Sequence, residues 1–247
     1  MDRFIYTALS AMNSAMDRQR AVANNLANAS TPGFRREVFA VTPATLRAEA
    51  TPEARAMARG NVRGADLAAG EVNPTGRPLD IAVSRAALIA YQGPDGGEVY
   101  SRRGDLRVGP SGVLENGEGL AVMGNAGPIS VPAGFAVRIA DDGSVLASDP
   151  SAPDTGAETL DRIRLVSPEG SPLAKGIDTF LKVAGGGVLP PDPTATVTTG
   201  ALEGSNVETA ETLVQMIEAQ RAFEQRARVI RTAGELDEAG ARLLSLQ

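Results

Sequence analysis

Two stretches at opposite ends of the chain carry the same apolar rhythm, and together they limit the folds open to it. Near the start, Ile5, Leu9, Met12, Met16, Gln19, Ala23 and Leu26 recur at alternating spacings of three and four. Near the end, Leu213, Met216, Gln220, Phe223, Ala227 and Ile230 do the same. This is the narrow seam of a coiled coil rather than the wide apolar face of a globular helix. The second stretch opens on Ser205 and Asn206, whose side-chain oxygens suit the free N–H groups of a first turn. Glu208 and Glu211 follow where the helix dipole favours negative charge. The pattern continues weakly to Leu243 and Leu244, a helix on the order of 50 Å long. Each seam holds one glutamine, and a polar seam residue fixes register at some cost in stability. Two readings stand. Either these are ordinary amphipathic helices on one globular core, or the chain ends pair as a coiled-coil-like domain with everything between them looped out.

The first helix has a clear stop. Asn24 to Phe34 concentrates asparagines, hydroxyls, Pro32 and Gly33; Pro32 drives Thr31 out of the helical region, and Gly33 accepts positive φ. Val38, Phe39, Val41 and Leu46 then suit an extended arm. Thr51 to Gly70 has little periodicity and reads as a connection with a short helical turn around Pro52 to Ala58. From Leu79 the texture turns to β. Leu79, Ile81 and Val83 alternate with polar or small residues, as do Phe135, Val137 and Ile139, and further β runs fall at Arg162 to Val166 and Thr179 to Val183. Asp95-Gly96-Gly97, Ser111-Gly112, Asn116-Gly117 and Asp142-Gly143 punctuate these runs, a spacing that suits an antiparallel sandwich or irregular barrel. The fold class is therefore α+β. The expected organisation is residues 1–34 as one half of a helical domain, 35–75 as an extended connection, 76–190 as a central all-β domain, 191–204 as a linker, and 205–247 as the second helical half.

Composition excludes more than it suggests. The 247 residues include no cysteine and no histidine, so disulfides, thiol nucleophiles, imidazole bases and His- or Cys-ligated metals are all ruled out. A net charge of −6 argues against a nucleic-acid partner, which calls for a basic face. No run approaches the roughly 18 to 20 apolar residues of a membrane span, and the opening Met1-Asp2-Arg3-Phe4-Ile5-Tyr6 does not read as a secretion signal. Direct membrane insertion is not expected, and neither is a cofactor.

Three short motifs have an enzymatic flavour and each fails on inspection. Asp154-Thr155-Gly156 spells the aspartic-protease triplet, but that chemistry needs two aspartates sharing a proton, and no second copy exists. Asp141-Asp142-Gly143 lacks the continuing oxygen ligands of a calcium loop and reads as a hairpin turn. The Gly185-Gly186-Gly187 run is not followed by the lysine and hydroxyl of a phosphate loop. No catalytic or metal-ligating constellation is expected.

The remaining motifs carry a resemblance. Leu9-Ser10-Ala11-Met12, Val22-Ala23-Asn24-Asn25-Leu26-Ala27-Asn28 and Thr31-Pro32-Gly33-Phe34-Arg35 resemble the amino-terminal signature of the bacterial flagellar rod and hook proteins. Thr75 to Val83 resembles the start of their β domain. Ala201-Leu202-Glu203-Gly204-Ser205-Asn206-Val207 with Met216 to Glu224 resembles their carboxy-terminal signature. The opening residues and the length look most like the proximal-rod members, with the distal-rod members next. The resemblance implies a structural subunit of the periplasm-spanning rod of the flagellar basal body. Such a subunit is exported by the flagellar type III apparatus without a cleaved signal and assembles with copies of itself and with other rod proteins. On that reading Ile5, Leu9, Met12, Met16, Leu26, Leu213, Met216, Phe223 and Ile230 supply subunit contacts. Ala23 and Ala227 allow close approach, and Gln19 and Gln220 set register. One departure stands out: Arg85-Ala86-Ala87-Leu88-Ile89-Ala90-Tyr91 replaces the glycine-rich, aromatic segment usual after the first β strand. A reading of another class is a dimeric binding module whose β domain recognises a ligand without catalysis.

Overall fold

The computed structural model describes residues 2–46, 55–152, 156–176 and 179–244, with the side chains at 2–6, 41–46, 55–63, 237 and 240–244 outside the described set. The protein is α+β, with a helix at each end and short antiparallel strands between. It divides into two units: Met1–Ala27, Glu37–Arg63 and Glu208–Gln247 form the first, and Asn28–Arg36 with Gly64–Val207 the second.

In the first unit, α1 (Asp2–Ala27) and α2 (Thr209–Leu244) pack against each other, and β1 (Glu37–Leu46) pairs with β2 (Arg55–Ala65). The extended arm expected after the first helix is thus β1. The helical turn expected around Pro52 to Ala58 is replaced: Arg55 onward is strand, because β1 offers it a ladder, while Pro52 itself lies outside the described residues. The asparagines that end α1 fix where β1 begins. Asn25 donates through Nδ2 to the Glu37 carbonyl at 3.1 Å and accepts the Glu37 N–H at 2.8 Å. Asn24 donates to the Glu37 carboxylate.

The second unit is built from short strands: β3 (Val72–Pro74), β4 (Ile81–Val83), β5 (Leu88–Gln92), β6 (Glu98–Ser101), β7 (Leu106–Val108), β8 (Leu114–Asn116), β9 (Ala136–Ile139) and β10 (Ser144–Ser148). Then follow β11 (Glu158–Arg162), β12 (Leu165–Val166), β13 (Leu173–Lys175), β14 (Leu181–Val183), β15 (Val197–Thr199) and β16 (Ala201–Glu203). A five-stranded sheet runs β12-β5-β6-β14-β13 and a three-stranded one β11-β10-β9, with β15-β4, β16-β3 and β7-β8 as pairs. The expected turn at Asp142-Gly143 joins β9 to β10, with Gly143 at φ 85° and the Asp142 carboxylate accepting the Ser144 N–H at 3.0 Å. That hydrogen bond holds the Asp142 carboxyl below its usual range. Residues 191–204, expected as linker, carry β15 and β16, which close onto β4 and β3.

The segment that departs from the family pattern becomes the most deeply buried strand. Leu88, Ile89, Ala90 and Tyr91 of β5 are all fully buried. Ile89 and Tyr91 point into one apolar core with Val99, Leu114 and Ile163; Leu88 and Ala90 point into another with Tyr100, Leu181 and Leu189. A strand covered on both faces reads as a continuous apolar run rather than an alternation. The polar ends of the buried tyrosines are satisfied: Tyr91 donates to the Arg103 carbonyl, and Tyr100 donates to Glu98 while accepting the Leu189 N–H.

Candidate assembly surface

The residues of the two apolar rhythms all fall on α1 and α2, but none of those described is among the fully buried positions of the two helices. Each helix turns a neighbouring stripe inward. On α1 the buried residues are Ser14, Ala15, Ala21, Val22 and Asn25, and on α2 they are Thr212 and Ala219. Ala15 and Val22 lie one position before Met16 and Ala23; Thr212 and Ala219 lie one position before Leu213 and Gln220. One residue is about 100° around a helix, so the fully buried stripe lies beside the row of Leu9, Met16 and Ala23 on α1 and of Leu213 and Gln220 on α2.

The helices run antiparallel. Arg18 of α1 meets Glu218 of α2 at 3.7 Å, while a cavity of about 330 Å³ lies between Thr7, Ala8 and Ala11 of one and Gln225, Arg226 and Val229 of the other. Rising numbers on α1 thus meet falling numbers on α2. The Arg18–Glu218 pair is largely exposed, and such pairs contribute on the order of 0–1 kcal/mol.

The predicted seam itself splits into two rows. Leu9, Met16 and Ala23, spaced by seven, are exposed, as are Leu213 and Gln220 on α2, with Ala227 half-buried. Met12, Gln19 and Leu26 on α1, and Met216, Phe223 and Ile230 on α2, are half-buried. Ile5 lies in α1, its side chain outside the described set. Val214 and Ile217 extend the exposed α2 row, at 57% and 51% exposure beside 48% for Leu213. Those two residues were missed because they fall outside a strict three-four alternation, although the run Leu213-Val214-Met216-Ile217 signals a wider apolar face. Fully burying such side chains is worth roughly 1.5–3 kcal/mol each, so this row leaves several kcal/mol unspent in the single chain.

The cap expected for α2 falls elsewhere. Asn206 does not serve the helix: its Oδ1 accepts the Arg36 N–H at 2.7 Å, and its Nδ2 donates to the carbonyls of Asp66 and Ala68 at 2.9 and 3.0 Å. Ser205 accepts the Val207 N–H, and the first helical bond runs from Thr212 to the Glu208 carbonyl. Glu211 does sit in the first turn, as the dipole favours.

Among the described residues no group of acidic side chains is placed to hold a metal ion, and no helix is long and apolar enough to cross a membrane. Asp154 and Thr155 of the protease-like triplet lie outside the described residues. The Asp66 carboxyl is held low: the Ala68 N–H and the Arg36 guanidinium favour its charged form over the opposing effect of burial.

Comparison with known proteins finds family matches at both ends of the chain. Residues 5–35 match the family described as flagella basal body rod protein, and residues 198–243 match the family described as flagellar basal body rod FlgEFG protein C-terminal. Across their whole lengths, the chain is 37% identical to the flagellar basal-body rod protein FlgF of Salmonella typhimurium and likewise to that of Escherichia coli. It is 28% identical to the flagellar basal-body rod protein FlgG of Agrobacterium fabrum, over 95% of this chain and 96% of that one. Matched end to end at that level, and carrying both terminal signatures in order, the chain belongs to the flagellar basal-body rod protein family.

Proposed function

We propose that this rod protein joins its neighbours through the outward rows of α1 and α2, and that the rod so built transmits motor torque. The chain is a structural subunit of the flagellar basal-body rod, 37% identical to two FlgF relatives and 28% identical to a FlgG relative. We read its place as the proximal rod, with a distal-rod position as the alternative. Within this reading, residues 1–34 and 205–247 are the two halves of the rod-core domain and 76–190 the outer, sandwich-like β domain. Its role is structural rather than catalytic, its partners are copies of itself and other rod proteins, and it reaches the rod through the flagellar type III apparatus.

The observation that carries the proposal is the exposed row itself. Leu9, Met16, Leu213, Val214 and Ile217 keep between 44% and 57% of their surface in water, while Ala15 and Ala219 are buried. A helix pair that served only to close on itself would put its large side chains inside. Heterologous contacts that do not close generate helical arrays, and an unfilled apolar row on both helices suits them. The sequence suggests a coiled-coil pairing of the chain's own ends; on the present reading the row at 9, 16 and 23 instead meets a neighbour's row at 213, 220 and 227, and Gln220 sets register.

Leu213→Glu tests it. The change places a charge on an exposed position, so the isolated chain should melt within about 0.5 kcal/mol of wild type. In cells lacking the native copy, the variant should fail to enter the basal body and fail to restore motility. Normal incorporation would remove the outward row from the assembly.

A further inference from the structure

The two terminal signatures meet inside the β unit, around one buried carboxylate. Glu203 is 1% exposed and accepts from Arg35 Nη2, from Arg102 Nε at 2.6 Å and from the Gly70 N–H at 2.7 Å; its own carbonyl accepts the Gly33 N–H at 2.7 Å. Arg35 and Arg102 are 3% and 2% exposed. Arg102 also donates to the carbonyls of Val83 and Ala87, which ties the β4–β5 turn to the same point. Lys175 stands 3.4 Å over the Phe34 ring and donates to the Arg35 carbonyl. Close approach reinforces the charges. A Cβ on Gly33 would lie 2.3 Å from the Arg102 carbonyl carbon, and one on Gly70 would lie 2.3 Å from the Gly204 oxygen. Gly33 also holds φ 67°, a conformation that glycine adopts without strain.

These contacts join residues 33–35, just after the first helical segment, to residues 203–206, just before the second. The partners are 168 and 101 residues apart in sequence. Arg35, Arg102 and Glu203 are all buried and are not surface groups available to a neighbouring subunit. We propose that Glu203 is a positioning residue for assembly, which joins the chain's two crossings out of the β unit to each other only once that unit has closed. Arg102 is the link: it holds Glu203 through Nε while its Nη groups are held by the β4–β5 turn, so the junction forms when β4, β6 and β16 are in place. A chain with an open β unit keeps both crossings loose and presents no paired helices. This rests on the reading that the helices make the subunit contacts.

The native sequence has no cysteine, so Ser30→Cys and Ser205→Cys give a clean spin-label pair across the two crossings in the full-length chain. The unaltered node should give one narrow distance. Glu203→Gln removes the charge, and Gly33→Ala pushes the segment off Arg102 while sparing the carboxylate. Each should broaden the distance distribution several-fold and abolish entry into the basal body. The near-ultraviolet signal of the buried tyrosines should still melt cooperatively. A narrow distance in both variants overturns the proposal. So does loss of the tyrosine signal together with the distance in both, which would make the node an ordinary core ion pair. Leu213→Glu separates the two readings, because it should block entry while leaving the distance narrow. If Leu213→Glu enters normally, the outward row falls, and the distance measurement still judges the node.

Discussion

The β unit hides Leu88, Ile89, Tyr91 and Tyr100 completely, while the helical unit puts Ala15 and Ala219 inside and leaves Leu9, Met16, Leu213 and Ile217 half in water. Both units are made by one chain of unremarkable composition, so the contrast lies in placement rather than content. Hydrophobic stabilisation scales with apolar area removed from water. The β unit has realised most of what its side chains offer. The helical unit leaves a larger share of its big apolar side chains in water. On the proposed reading, the β unit forms first and the helical unit gains stability when neighbours arrive.

That contrast can be broken from either side. The largest effect should come from Ile89→Ala, which empties a fully buried site with apolar neighbours and should cost the β unit roughly 2–5 kcal/mol, read as a lowered tyrosine-detected melting point. Ala15→Leu should come next. It overfills the close helix contact and should reduce far-ultraviolet helix signal by the equivalent of about 1–3 kcal/mol, with the β unit's transition unmoved. Met16→Ser, at 44% exposure, should change the melting of the isolated chain by less than about 0.5 kcal/mol yet weaken entry into the rod. The smallest effect is electrostatic. Asp66 has its folded pKa depressed by the Ala68 N–H and Arg36. Its contribution is therefore full above the unfolded value of about 4 and fades as pH falls through the lower folded value. Asp66→Asn should flatten the acid limb of the stability profile and leave the neutral region almost level.

Much of this was legible in the residues, and the exceptions share a cause. The ends announced themselves as helices through a seven-residue rhythm, and Asp142-Gly143 announced a hairpin through its local turn chemistry. The phase of the helix contact was not legible. Large side chains dominate an apolar pattern, while the fully buried positions include Ala15 and Ala219, which barely register in it. Asn206 looked like a cap because its competitors for hydrogen bonding, at Arg36, Asp66 and Ala68, are some 140 to 170 residues away. The run from Arg85 to Tyr91 stood out only as a departure from the family pattern and was not legible as a strand, because alternation marks a half-buried strand and β5 has two dry faces. Glu203 gave no local sign of being a core charge, since both of its arginines belong to distant segments. The apolar rows were visible as candidates for subunit contact; which of the two rows faces outward required the fold.

Hydrogen exchange on the full-length monomer, followed by mass spectrometry, tests the central claim most directly. Peptides spanning β5 and β6 should be protected to the level of global unfolding, and peptides from α1 and α2 should exchange orders of magnitude faster through local opening. Equal protection of helices and β strands would contradict the account, because the helical unit would then be complete without its neighbours.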